Sequence, residues 1–458
     1  MRLGDIFERF LQEAPISVMV RALMERALDP DELNRPFEQT AERQYTRELL
    51  FSSLVDLMSL VVCGVKPSVR SAYLASLGEI AASLTAVSEK LQGIEPGVCR
   101  GFVRDTAGRL RPLLRQLDAT LPELVPGYHA KILDGNHLAA TEHRIAPTRT
   151  THAAPLPGQA LVVLDPAMML VIDVVPCEDA HAQERSLVDQ VLPGVEPGDL
   201  WIADRNFCTT RFLFGVRARR GRFLVRQHRQ TLRWEPMAPW RDVGRVTTGF
   251  VQEQRVRVTE VGGDGVMELR RLRLQLDQPT RDGETELFLL TDLPEEHADG
   301  LSLAETYRRR WTLENVFQSL TEALTCEINT LAYPRAALFG FCVALVAYNI
   351  LAVVRAALRS EHGRDEVEAT TSNYHLVQEV ATTYAGMMIA IPPREWALFR
   401  GMGVEAMAGF LREAASQARL AKYPRSRHGP KKPRPKRTGR ISDHVATARL
   451  LDKRLLQA

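Results

Sequence analysis

Two short segments carry residues whose types and spacing do chemistry: LWIADRNF at 200–207 and YRRRWTLENVFQSL at 307–320. The first is an apolar run ending on Asp204, the pattern of a buried strand that delivers a carboxylate to a sheet edge. The second has helical spacing. Tyr307, Arg310, Glu314 and Thr321 fall at offsets of three, seven and fourteen, which puts all four on one face of a helix of about 3.6 residues per turn. A carboxylate flanked by a guanidinium and a phenol on one stripe suits a phosphate-bearing substrate.

Strand order brings in a third acid. Asp134, in HAKILDGNHL, stands at the end of the first β run, and Asp204 at the end of the fourth. If those strands are neighbours, both carboxylates meet at one edge, and Glu314 closes the site from its helix. Three bare carboxylates roughly 5 Å apart repel by about 3 kcal/mol per pair at an effective dielectric of about 20, so the cluster needs cations. All-oxygen ligation selects hard divalent ions, Mg²⁺ above all. Two such ions about 3.5–4 Å apart serve phosphodiester chemistry, one activating a water or a 3′-hydroxyl and the other stabilising the leaving oxygen. Each acid has a plainer reading as well. Asp134-Gly135 reads as a turn, Asp204 as a helix N-cap, and Glu314 as the i,i+4 partner of Arg310 on a solvated face. The three together, in this order, favour the metal site. Asp165 and Asp173 read as caps of a turn and a strand.

The elements that must position these groups divide the chain. Residues 1–125 have helical spacing throughout and form an all-helical domain. Within it, two helices meet at a Gly and Pro turn, the second starting near Pro96 and carrying Arg100, Arg104 and Arg109. That arrangement fits a DNA-reading helix-turn-helix or an ordinary helical hairpin. Residues 126–360 read βββαβαβ and then, at about 230–293, a mostly antiparallel β insertion, before helices resume near Ser302. Helical sequence occupies 361–420, and 421–458 reads as a basic tail. The class is therefore α/β, with helical flanks on both sides.

At 458 residues the chain is long enough for several domains and a large core. The 59 basic and 56 acidic residues leave a net charge of only +3, so distribution matters more than balance. From Ala421 to Ser442 there are nine Lys or Arg, no Asp or Glu, and prolines that block helix and sheet. Lys431, Lys432, Arg434, Lys436 and Arg437 make this stretch either a phosphate-tracking arm, each contact adding about 0.9 to the salt slope, or a solvated linker. Six scattered cysteines without a CxxC pair, and no signal peptide, predict a reducing cytoplasm. The run Ala336–Val354 is uncharged for 19 residues, but Gly340, Tyr348 and Asn349 interrupt it, which favours a buried core helix over a membrane span. His137, His143, His152 and His181 lack zinc-site spacing.

These segments resemble the insertion-sequence DDE transposases, specifically the family-four group. Its signature is Tyr, two residues, Arg, three residues, Glu, six residues, Lys. Tyr307, Arg310 and Glu314 match, and Thr321 stands where the family has Lys; DGNHL around Asp134 and ADRNFCT around Asp204 match the surroundings of its two catalytic aspartates. The resemblance implies an RNase H-like core holding two Mg²⁺, or Mn²⁺, on Asp134, Asp204 and Glu314. It further implies double-stranded DNA as partner, in the form of element ends and target, with Tyr307 and Arg310 on phosphate. The implied activity is cut-and-paste DNA transposition, a form of DNA recombination: endonucleolytic nicking at the element's ends, then strand transfer. In relatives a tryptophan of the β insertion holds a flipped base while a hairpin forms, which makes Trp234 and Trp240 candidates; ordinary core packing is the alternative. A homodimer pairing two ends, joined through helices at about 370–420, a nucleoid-associated cytoplasmic location and no membrane partner complete the expectation. Two other readings stand beside it. One is a metal-dependent nuclease without strand transfer. The other is a catalytically impaired descendant that only binds DNA, for which Thr321 speaks.

Overall fold

The computed structural model describes residues 4–42, 49–228, 230–280, 283–425 and 444–455. Its centre is a mixed sheet. The first half comprises β1 (His129–His137), β3 (Gln159–Asp165), β4 (Leu170–Cys177), β5 (Asp199–Ala203) and β6 (Arg222–Arg226), while the short β2 (Ala154–Leu156) lies outside it. The second half comprises β7 (Arg233–Pro236), β8 (Arg241–Val246), β9 (Gly249–Thr259), β10 (Val266–Leu276) and β11 (Glu286–Thr291). The order across the sheet is β4-β3-β1-β5-β6-β11-β10-β9-β7, with β8 also on β9. β1, β5 and β6 run parallel, and the pairs on either side of them are antiparallel. The β-rich stretch after β6 thus extends the same sheet, because β11 returns to pair with β6.

Alternation along the parallel strands divides their side chains between two cores. Ile132, Ile202 and Leu224 face the larger one, and Leu133, Trp201, Ala203 and Val225 the smaller. The smaller core is closed by the helix Thr210–Ala218 and by the segment 184–194. That segment, which the sequence predicts as one helix, consists of two 3₁₀ turns around a single α turn, the last containing Pro193.

The larger core surrounds the helix Pro334–His362. It starts with Pro in its first turn and stops at Gly363, whose φ of +86° suits glycine. Its apolar 18-residue window is 94% buried, as expected of a core helix. Asn349 explains the polar interruption: its amide accepts from Val171 N–H and donates to Val171 C=O, both at 2.8 Å, stitching the helix to edge strand β4. A helix apolar all round must be enclosed on every side, and the sheet covers only one. The N-terminal helices, together with the C-terminal helices Arg364–Thr370 and Val404–Ser416, cover the rest. Phe51 and Phe102 pack at a tilt against Phe339 with ring centroids 5.6 and 6.3 Å from it. The described residues of this N-terminal region therefore share one core with the sheet, where the sequence suggests a separate domain over 1–125.

Two further expectations are corrected. The helix read continuously through 307–320 is broken into Gly300–Arg308 and Trp311–Glu322. Between them, Arg309 and Arg310 N–H donate to Thr306 and Tyr307 C=O, and Thr312 and Leu313 N–H to Arg309 and Arg310 C=O, a run of i to i+3 bonds that tightens the chain. The basic tail drawn from 421 to 458 does not run to its end: β12 (His444–Ala446) pairs in parallel with β2, and the helix Thr447–Leu455 follows. Arg449 grips Asp179 at 2.7 Å, so the end of this segment is docked on the sheet domain.

Candidate active site

Register places the first acids. The parallel pairing of β1 with β5 reaches Leu133 opposite Ala203, and that of β5 with β6 reaches Ala203 opposite Val225. One residue further on, the three strands present Asp134, Asp204 and Arg226 in a row. By alternation these face the side of Ile132, Ile202 and Leu224, where the 300–322 helices lie. Asp134-Gly135 is not a turn: both residues continue β1, opposite Val162 and Leu161 of β3. Asp204 does cap the 3₁₀ turn Arg205–Phe207, its Oδ1 accepting from Asn206 N–H.

The tight turn before Trp311 lets Tyr307 bury itself while Arg310 reaches the sheet. Arg310 Nη1 donates to Asp134 Oδ2 at 2.6 Å and Nη2 to Glu314 Oε1 at 2.7 Å. The side chains of Arg310 and Asp134 are only 12% and 15% exposed, whereas that of Glu314 is half exposed at 52%. The i,i+4 reading of Glu314 is the one observed: it pairs with Arg310, and through Arg310 the pair is attached to Asp134.

Charge in this pocket is crowded. Burial pushes the Asp134 carboxyl up to about 7; Arg310 and the Gly135 N–H oppose the rise, and Asp204 and Glu184 add to it. Burial alone would pull the Arg310 guanidinium down, but Tyr307, Asp134, Glu314 and Asp204 outweigh it and hold it above the ordinary arginine value. Burial likewise raises the Tyr307 phenol, which feels Arg310, Asp204, Arg226 and Asp134 together. Tyr307 therefore sits among the whole set as a neutral hydroxyl.

The donor set is all carboxylate, which is the chemistry a hard divalent cation takes. The Arg310 fork stands between Asp134 and Glu314 as a substitute positive charge, so these acids already call for a cation. Among the described residues, no three His, Cys, Asp or Glu are grouped closely enough to hold a metal in this conformation, the four histidines included.

Other sequence candidates lie elsewhere. Thr321 is exposed, and its hydroxyl donates back to Phe317 and Gln318 C=O, about 10 Å along the helix from Glu314. Trp234 and Trp240 are half buried and flank one guanidinium. Arg271 lies 4.3 Å from the Trp234 ring, 5.1 Å from Trp240 and 4.3 Å from Phe288. Arg271 Nε also donates to Gln227, the residue after Arg226, at 2.7 Å, but by alternation Arg271 shares the face of Val225 and Leu290, so this aromatic cluster lies on the opposite side of the sheet from the acid row. Lys431, Lys432, Arg434, Lys436 and Arg437 lie outside the described residues. In the N-terminal helices Arg100 is committed to Asp173 at 2.6 Å and Arg109 to Ala27 and Glu32 C=O, which turns both inward; Arg104 is exposed. Asp173 is thus an ion-pair partner of Arg100 as well as bonding its own strand's Val174 N–H, while Asp165 caps its turn as read.

Sequence reasoning missed two residues. Arg226 had a signal, since it ends the third parallel strand as the aspartates end theirs; Glu284 holds it. Glu184 had none.

Residues 127–350, just under half of the chain, match the family model described as the transposase DDE domain. The match contains Asp134, Asp204 and the Tyr307–Glu314 segment, and it supports a DDE transposase. No curated protein matches the chain. Among solved structures, a cryo-EM piggyBac transposase synaptic complex with hairpin DNA aligns over 84% of this chain and 83% of its own at 9% identity, with a TM-score of 0.37, too low to carry an argument.

Proposed function

We propose that this chain is a DNA transposase that cuts the ends of an insertion sequence and joins them to target DNA by the DDE mechanism. The observation that carries the reading is the Asp134–Arg310–Glu314 bridge beside Asp204, inside the segment similar to the transposase DDE domain. The strand order β4-β3-β1-β5-β6, antiparallel across β4-β3-β1 and parallel across β1-β5-β6, supports an RNase H-like core. On this reading the β7–β11 stretch is the insertion, and the family-four group is the relevant branch.

Asp134, Asp204 and Glu314 would hold two divalent ions, Mg²⁺ or Mn²⁺. When bound, these supply activation of a water or a 3′-hydroxyl and charge stabilisation at the leaving oxygen. The chain's own side chains do the positioning. Arg310 exchanges its carboxylate partners for a phosphate of the DNA, which its fork fits equally well. Tyr307, kept neutral by burial, donates its hydroxyl to the same phosphodiester. The aromatic cluster of Trp234, Trp240 and Phe288 offers a stacking surface for a base that leaves the duplex, with Arg271 its present occupant. A synaptic homodimer, the basic 426–443 stretch on DNA phosphates and a cytoplasmic, nucleoid-associated location belong to the same proposal; six free cysteines accord with a reducing compartment.

The test is incubation of the purified protein with Mg²⁺ and DNA carrying the repeats that flank its gene, alongside Glu314→Gln, with strands resolved on a denaturing gel. Nicks at repeat ends and joined products, absent in Glu314→Gln, are expected. Cleavage without joining would identify a nuclease. The Thr321 hydroxyl, folded back on its own helix where a lysine is expected, favours an impaired DNA-binding descendant as the second reading. Binding without cleavage in either protein would establish it.

A further inference from the structure

The turn that carries Asp204 is braced by a side chain from outside the three-acid set. Glu184 opens the 3₁₀ segment that follows β4, and its Oε2 accepts from Asn206 Nδ2 at 2.9 Å. Asn206 is also the residue whose backbone N–H donates to Asp204 Oδ1. On its other side the Glu184 carboxylate lies over Gly135, the neighbour of Asp134. A Cβ at Gly135 would stand 2.0 Å from Glu184 Oε1 and 2.4 Å from its carboxyl carbon. Glycine inside a paired strand weakens it, and here its reason is the close approach of another group. Glu184 comes from the Gly135 face, whereas by alternation Asp134 projects from the opposite one. It therefore reaches the aspartates through the backbone and through Asn206, rather than by sharing a ligand with them.

We propose that Glu184 is a positioning residue for the aspartate pair: by bracing the strand beside Asp134 and the Asn206 turn that holds Asp204, it sets the separation of the two carboxylates and hence their grip on divalent cations. The proposal rests on the reading of Asp134 and Asp204 as metal-holding residues. A carboxylate accepting from an amide N–H is among the stronger hydrogen bonds, and such outer partners of metal-holding groups tune affinity through orientation alone. Glu184 also adds to the negative field around Asp134.

The test is Mn²⁺ binding to the full chain without DNA, followed by electron paramagnetic resonance, with melting temperature in chelator as the check on folding. Glu184→Ala is expected to weaken binding by about tenfold. Gly135→Ala, which keeps the glutamate but pushes it off Asn206, should do the same. Glu184→Gln retains an acceptor for Asn206 and should stay within about threefold of wild type, and Glu184→Ala combined with Asn206→Ala should cost no more than either alone. Should Glu184→Ala fail to fold, Asn206→Ala breaks the same link. The proposal is overturned if Glu184→Gln loses as much affinity as Glu184→Ala, which would make the charge itself a ligand, or if Glu184→Ala and Asn206→Ala bind as wild type does. A wild type that binds no Mn²⁺ would overturn the metal reading and this proposal with it.

Discussion

Asp134 offers a prediction that needs no DNA. Its carboxyl is raised by burial to about 7, against about 3.9 in an unfolded chain, so the folded protein binds that proton more tightly than the unfolded one. The sign follows: this group favours the folded state while it is protonated, and the advantage is lost as pH climbs through about 7. Between pH 5 and pH 8 the loss amounts to about 2–3 kcal/mol. Asp134→Asn removes the titration, leaves Arg310 its bond to Glu314, and keeps every other titrating group, so the difference between the two proteins isolates Asp134. With an unfolding entropy of about 2.1 cal/mol/K per residue, the whole chain converts that free energy to about 2–3 °C. The assay is thermal unfolding in chelator at pH 5, 6, 7 and 8. Relative to the variant, the wild type should lose about 2–3 °C over that range, most of it between pH 5 and 7. Saturating Mg²⁺ at pH 8 should raise the wild type and leave Asp134→Asn nearly unmoved. Parallel profiles for the two proteins would refute both the burial argument and the assignment of this carboxyl as the crowded one.

Arg310→Lys keeps the charge but cannot hold two carboxylates with one planar fork; it should lower the melting temperature in chelator and slow end cleavage by about 10–100-fold, read on the same gel as Glu314→Gln. Tyr307→Phe removes a hydroxyl without changing the packing around the ring, so folding stability should hold while cleavage falls about tenfold, the worth of one hydrogen bond to a charged phosphate. Asn349→Leu fills the same space but strands the N–H and C=O of Val171, and chemical unfolding should show a loss of about 2–4 kcal/mol. A loss below about 0.5 kcal/mol would mean that the core helix does not depend on that stitch.

Much of the site was legible because its signals are local. A short continuous apolar run announces a buried strand, and an acid just past it announces what that strand delivers, which is how Asp204 stood out. The 19-residue uncharged run carried its own correction in Asn349. The spacing of Tyr307, Arg310 and Glu314 correctly grouped them on one side, although the chain breaks at Arg309 and Arg310 to achieve it. What tertiary structure decided depends on residues far apart in the chain. Arg310 meets Asp134 across 176 positions. Arg226 joins the acid row only because β6 pairs in parallel with β5. Glu184 reaches Gly135 only because a segment beyond β4 folds back over β1. The N-terminal helices lose their independence because the helix Pro334–His362 must be covered on every side. The sequence by itself determined where most strands and helices form and which acids, phenol and guanidinium they carry, since those choices follow from period and capping; the 3₁₀ turns of 184–194, the break at Arg309 and Arg310 and the docked end at 444–455 were not among them. Tertiary packing decided which cation faces which carboxylate and how far apart the carboxylates stand, since those follow from strand register and burial, which no local window of residues contains.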